Sequence, residues 1–335
     1  MRHQLKILLV NPFADSMFGG SGIIRKQLRE ALVELGAEVD EWTYPALTRS
    51  RLRKLIWLFL HNPILDAKVS QAVALRCPDI IHACDASVLR GCLGHNIPVV
   101  FEALSLIPPS SGTGLDSLFR GWSRLRRTSR SMQRCREVIC ASSDMASYLK
   151  SVHSVNATII PHVRPLPGSE WLRRHQANDY ILFVGRFAPD KGADIFFRLA
   201  KENPDQQFVA CGLPGPVPPP ALPNLGVHLN VAPEAVAKFY AKAKLVVIPS
   251  RVEGFGLVAL EARNSGCSIL SSGAGALPEV LAEYAGAVIT DLRNFNIMLQ
   301  ALLPGLLQSK YPLRQQNTTQ WAEQYLHTYE RITTS

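Results

Sequence analysis

The chain has 335 residues, 47% hydrophobic and 19% charged, which excludes a disordered chain and is long enough for two cores. Its formal charge of +9 is unevenly spread: residues 1–165 carry 21 Lys and Arg against 13 Asp and Glu, and residues 166–335 carry 15 against 14. Seven cysteines without a C-x-x-C pair argue against a disulfide framework or a structural zinc site, and no apolar run reaches the ~18 residues of a bilayer span. A cytoplasmic protein is expected.

In chain order, "LKILLV" (5–10) is a strand, a first buried one and not a signal peptide. "SGIIRKQLREALVELG" (21–36) follows as a helix with Ile24, Leu28, Ala31, Leu32 and Leu35 on one face. "AEVDEW", "PDIIHA", "PVVFEA", "EVICAS" and "NATIIP" supply further strands. A polar, proline-bearing stretch from Pro161 to about Asn178 joins this half to the next. The alternation then restarts with "YILFVG" (180–185), "QFVACG" (207–212), "GVHLNV" (226–231), "LVVIPS" (245–250) and "CSILSS" (267–272), interleaved with helices. The predicted fold is therefore α/β, two Rossmann-like domains of parallel strands facing each other across a cleft. "LPGPVPPPALPN" reads as an extended surface loop, with an SH3-type ligand as the alternative.

Strand-end loops are where such sheets bind ligands. Gly19, Gly20 and Gly22 open the first helix and let a backbone approach an anion; they also suit a tight turn. They do not complete G-x-G-x-x-G, since Arg25 stands at its third glycine, which counts against a dinucleotide enzyme. "VGRFAPDKG" places Arg186 and Lys191 after a strand as a diphosphate clamp or as solvated charges. In "SRVEGFGLVALEARNSG", Glu253 follows a buried strand and Glu261 lies inside the next helix, with Gly254 and Gly256 flanking Phe255. Carboxylates there suit the hydroxyls of a sugar or ribose, although two helix-end glutamates have an ordinary electrostatic explanation as well.

"PSRVEGFGLVALEA", with "GRFAPDKG" before it and "GALPEV" after it, resembles the signature of the retaining GT-B glycosyltransferases of family 4. "FGGSG", "PDIIHACD", "ASSDMASYL", "IIPHV" and a final "WAEQYLHTYERI" extend the similarity over nearly the whole chain. The resemblance implies an N-terminal acceptor domain, residues 1–165 completed by a C-terminal helix at about 314–335, and a nucleotide-sugar domain, residues 166–313. It implies that Glu261 holds ribose hydroxyls, that Glu253 orients the transferred sugar, and that Arg186 and Lys191 clamp the diphosphate. Gly254, Phe255, Gly256 and Leu257 would contact the donor through the backbone, and Gly20 and Gly22 would line the site from the other domain. The co-substrate would be a UDP-, GDP- or ADP-linked sugar, without a metal or other cofactor; the chain has no D-x-D motif. In such enzymes retention is ascribed to front-face attack, with the leaving diphosphate accepting the acceptor's proton.

The chain departs from the family where a histidine commonly reaches the sugar, because Leu104 stands there. His82 and Asp85 are the nearest replacements, although His82 reads equally as a core histidine. The missing histidine keeps open a degenerate, nucleotide-sugar-binding protein. A synthase or phosphorylase acting on small sugar phosphates is a further alternative. Arg-rich segments 49–54 and 120–136 suggest an anionic or lipid-linked glycan acceptor at the cytoplasmic face of a membrane, with the enzyme peripheral there. Nucleic acid is not expected, because no stacking platform accompanies the arginines.

Overall fold

Runs of β-branched and leucine residues bounded by helix-forming segments produce parallel strands covered by helices, and this pattern occurs twice. The computed structural model describes residues 4–12, 20–44, 63–104, 125–164, 179–308 and 316–334. The chain divides into two compact units: the first runs to Pro161, Gly20 excepted, and takes in the C-terminal segment from Thr318, and the second runs from His162 to Asn317 and takes in Gly20.

The first unit contains a six-stranded sheet of order β2-β1-β3-β4-β5-β6. Its strands are β1 Lys6–Asn11, β2 Glu38–Thr43, β3 Ile80–Ala83, β4 Val99–Ala103, β5 Glu137–Cys140 and β6 Thr158–Ile159. All its pairings are parallel. β1, β3 and β4 are continuous buried runs, as expected of a sheet covered on both faces. Leu8, Val10, Ile81 and Phe101 meet Leu65, Val69 and Val73 of the helix Pro63–Arg76 in one core cluster. The last strand is shorter than "NATIIP" suggested, only two residues.

The second unit's sheet has the order β12-β11-β10-β7-β8-β9, from β7 Tyr180–Arg186, β8 Phe208–Leu213, β9 Leu225–Leu229, β10 Ala243–Ile248, β11 Ile269–Ser271 and β12 Ala287–Ile289. Its pairings are parallel as well. The order reverses between β7 and β10, and the crevice at such a switch point is where open α/β sheets take ligands. Phe183, Phe187, Phe196, Phe197 and Phe208 form its aromatic core. The proline-rich segment after β8 is an anchored loop: the Val217 amide donates to the Phe187 carbonyl at 3.0 Å. That bond fixes the start of the loop carrying Lys191.

The helix Thr318–Thr333 belongs to the first unit although it ends the described chain. Trp321, Tyr325 and Tyr329 recur every four residues, share one helical face and are fully buried. Both tyrosine hydroxyls reach the sheet: the Tyr329 hydroxyl lies 2.6 Å from His82 Nδ1, and Tyr325 donates to Glu102 Oε1 at 2.7 Å.

Candidate active site

β7 ends in Arg186, and the following turn, Pro189–Lys191, leads into the helix Ala193–Glu202. β10 ends at Ile248, so Glu253 lies in the loop before the helix Leu257–Asn264. The switch point therefore brings Lys191 and Glu253 together. Lys191 Nζ donates to both Glu253 oxygens at 2.8 Å, and Ser250 Oγ adds a bond of 3.2 Å. Arg186 is not part of that pair; it binds Asp190 at 2.9 Å and is half exposed.

Two glycines shape the Glu253 loop. Gly256 has φ +93° and ends the loop at the helix start. Gly275 has φ +54°, and a Cβ there would overlap the Glu253 carbonyl oxygen. Phe255 is buried in a T-shaped contact with His162, ring centroids 5.0 Å apart, while Leu257 is half-buried.

Glu261 sits one turn into the helix, its side chain 18% exposed. Arg164 Nε donates to Oε1 at 2.7 Å and the Tyr240 hydroxyl donates to Oε2 at 2.9 Å. Burial first, and then the Glu261 charge, push the Tyr240 phenol well above its usual range, so it stays protonated and remains a donor. Burial pushes the nearby Cys211 and Cys267 thiols up to about 11 and about 12, which keeps them from acting as thiolate nucleophiles.

In the first turn of the helix Gly20–Glu34, Gly20 is exposed and grouped with the second unit, while Gly22 is buried in the first. Asp85 accepts from the Ser87 amide at 2.8 Å and hydroxyl at 2.6 Å, capping a short turn. Leu104 is half-buried just beyond β4. His82 is wholly enclosed, with Nδ1 facing Tyr329 and Nε2 3.2 Å from Glu102. Of its two sequence readings, this geometry is that of the core histidine; a direct sugar contact would need the enclosing helix to move. His82, Cys84 and Glu102 bring ligand-type atoms within 4.8 Å of one another, the only such trio among the described residues. Hydrogen bonds to Tyr325 and Tyr329 already account for the imidazole and the carboxylate.

Residues 171–295 match the family described as glycosyl transferases group 1, and residues 18–163 match glycosyltransferase family 4. The chain belongs to glycosyltransferase family 4. Its architecture is GT-B: it superposes on sucrose-phosphate synthase from Thermosynechococcus elongatus with a TM-score of 0.75 at 19% identity, covering 99% of this chain and 97% of that one. The Anabaena protein HepE in complex with UDP and glucose gives 0.69 at 16% identity, covering 98% and 100%. Among curated relatives, D-inositol 3-phosphate glycosyltransferase of Mycobacteroides abscessus is 31% identical over 44% of this chain and 39% of its own length. The enzyme of that name from Mycolicibacterium paratuberculosis is 29% identical over 52% and 45%. The chain thus spans less than half the length of the curated relatives it matches.

Other features of the chain give no signal in its sequence. Arg251 makes a two-point ion pair with Asp194, both bonds 2.7 Å, and bonds the Pro189 carbonyl, bracing the two site loops against each other. That hydrogen bond holds the Asp194 carboxyl below its usual range. Of the arginine-rich segments, 49–54 and 120–124 lie outside the described residues. In 125–136, Arg126, Arg127, Arg130, Arg134 and Arg136 are exposed while Met132 points into the core. No helix among the described residues is long and apolar enough to cross a membrane.

Proposed function

We propose that this glycosyltransferase moves a sugar from a nucleotide-diphospho-sugar to an acceptor hydroxyl with retention of configuration and without a metal. The observation carrying the reading is the Lys191–Glu253 pair at the switch point of the second sheet. It offers a cation that would meet a departing diphosphate and a carboxylate that would accept from sugar hydroxyls, with Glu261, one turn into the following helix, for ribose. The protein would position the partners and stabilise charge on the leaving group, which itself takes the acceptor's proton. HepE was solved with UDP-glucose as well as with UDP and glucose, and a starch synthase with ADP, which favours a nucleotide-linked donor here too.

Thermal unfolding with UDP, GDP, ADP and their glucose conjugates tests the donor. One base series should stabilise the protein by about 2.7 kcal/mol at a hundred times its dissociation constant. Lack of stabilisation by all of them would overturn the reading.

The acceptor side is read as anionic. The first half holds nearly all the excess positive charge, and its described arginines at 126–136 form an exposed row without an exposed large apolar residue. Such a face attracts charge more than it inserts. The curated relatives' name points to a phosphorylated polyol, and a lipid-linked glycan at a membrane offers the same charge. Co-sedimentation with phosphatidylglycerol vesicles, weakened by salt and absent with phosphatidylcholine, is expected for the membrane form. No binding to either vesicle, with transfer to inositol 3-phosphate, would assign the small acceptor.

A further inference from the structure

The long run of the second unit is entered at Pro161–His162 and left at Asn317–Thr318. On the second-unit side of these crossings, two segments far apart in sequence are bonded to each other and to the helix that carries Glu261. Gln316 Oε1 accepts from the Arg164 amide at 2.6 Å and from Asn264 Nδ2 at 3.0 Å. Asn264 Nδ2 also donates to the Arg164 carbonyl at 2.8 Å. Asn264 is fully buried and lies three residues after Glu261 on the same helix. The Arg164 backbone is therefore held at both its amide and its carbonyl, and among the described residues its side chain bonds Glu261 Oε1.

An ion pair made only for stability would be worth little at this exposure, since the two side chains are 22% and 18% exposed. Its geometry suits another task. A carboxylate has about four lone-pair sites; Arg164 and Tyr240 take one on each oxygen, leaving one on each for an incoming pair of hydroxyls. A ribose carries such a vicinal pair. A carboxylate fixed by two donors meets that pair without losing rotamer freedom on binding.

We propose that Arg164 is a positioning residue for the nucleotide: with Tyr240 it fixes Glu261 for a ribose diol, and through Asn264 and Gln316 it ties that carboxylate to both chain crossings. The proposal rests on the reading of Glu261 as the ribose acceptor. It adds a residue outside the E-x7-E element and a physical link from nucleotide to crossings. Arg164 touches no reacting atom, so its removal should act through the aim of Glu261, by loss of hydroxyl discrimination.

The test is the affinity of the full chain for UDP, GDP and ADP and their 2′-deoxy counterparts, by isothermal calorimetry. The wild type should prefer the ribo form of the nucleotide it binds by about tenfold or more, the lower range for a hydrogen bond to a charged group. Arg164→Gln should weaken the ribo form to near the deoxy form while leaving the deoxy form almost unchanged, so that the ratio falls toward one. Arg164→Lys, which keeps the charge on a single point, should give an intermediate ratio and covers the case in which Arg164→Gln fails to fold. A ratio that stays at the wild-type value in Arg164→Gln, or in Arg164→Lys where only that variant folds, overturns the proposal. Equal weakening of both forms overturns it too, as damage to the fold would produce that. In both cases a collapsed ratio in Glu261→Gln shows that the ribose reading itself stands. An unchanged ratio in Glu261→Gln, or a wild type that binds none of the three, overturns the ribose reading and this proposal together.

Discussion

Replacing Glu253 by Gln is expected to slow sugar transfer on the order of a hundredfold while tightening the binding of the bare nucleoside diphosphate. The two effects have opposite signs for one reason. Lys191 Nζ is committed to both Glu253 oxygens, so a diphosphate that recruits Lys191 must compete with that ion pair. Glutamine presents no charge to hold the lysine, and the pair's loss is worth up to about 1 kcal/mol, or roughly fivefold in affinity. The transferred sugar loses its acceptor for developing hydroxyl contacts, and misplacement of a reacting group costs on the order of a hundredfold in rate. Calorimetry with the diphosphate and an assay of its release from the matching nucleotide sugar read the two separately. Weaker diphosphate binding in Glu253→Gln would show that Lys191 does not exchange partners.

The second large effect lies in the first unit. Glu102 is 1% exposed and its oxygens face Tyr325 and His82, which is itself held by Tyr329. Burial, and then the Glu102 charge, drive the Tyr325 phenol well above its ordinary range, so it donates at any working pH. Glu102→Ala removes the shared acceptor and leaves buried polar groups on two elements unsatisfied, at a cost of about 3 kcal/mol. Tyr325→Phe removes one donor and should cost about 1–2 kcal/mol. Hydrogen exchange of peptides within 318–333 should accelerate in both variants, more in the first. Unchanged protection there would mean that the apolar face of Trp321, Tyr325 and Tyr329 holds the helix alone.

The parallel sheets could be read from the sequence because a strand covered on both faces must be an uninterrupted apolar run, as "ILLV", "ILFV" and "LVVI" are. The position of Glu253 could be read for the same reason, since it follows such a run directly. Its partner could not be derived from composition: Lys191 reads from the sequence as a diphosphate clamp or a solvated charge, and the switch point supplies its contact with Glu253, 62 residues away. Arg164 gave no signal: it stands in a polar stretch, and its partner is 97 residues on. Glu102 carries no signal, because a lone glutamate in "VVFEA" has no periodic companion; its partners are His82, 20 residues away, and Tyr325, 223 away. His82 was ambiguous for the opposite reason, since a histidine near a strand end can serve a site or a core, and only the covering helix distinguishes them. Charge patterns also revealed little of Arg251, whose two-point contact to Asp194 depends on how two loops are folded back.

The order in which this chain is made matters for its first unit. A ribosome delivers the sheet of residues 6–159 long before the helix Thr318–Thr333, with the whole span of the second unit in between. Until that helix emerges, His82 and Glu102 lack the tyrosine hydroxyls that complete them, and the apolar floor beneath Trp321 is uncovered. Nearly all of the second unit comes from one run of chain, His162–Asn317, and can close during synthesis, whereas the first must wait for the helix Thr318–Thr333. A nascent chain stalled or cut before Thr318 would therefore display an unfinished sheet beside a finished one, a form that quality-control proteases and chaperones are equipped to recognise.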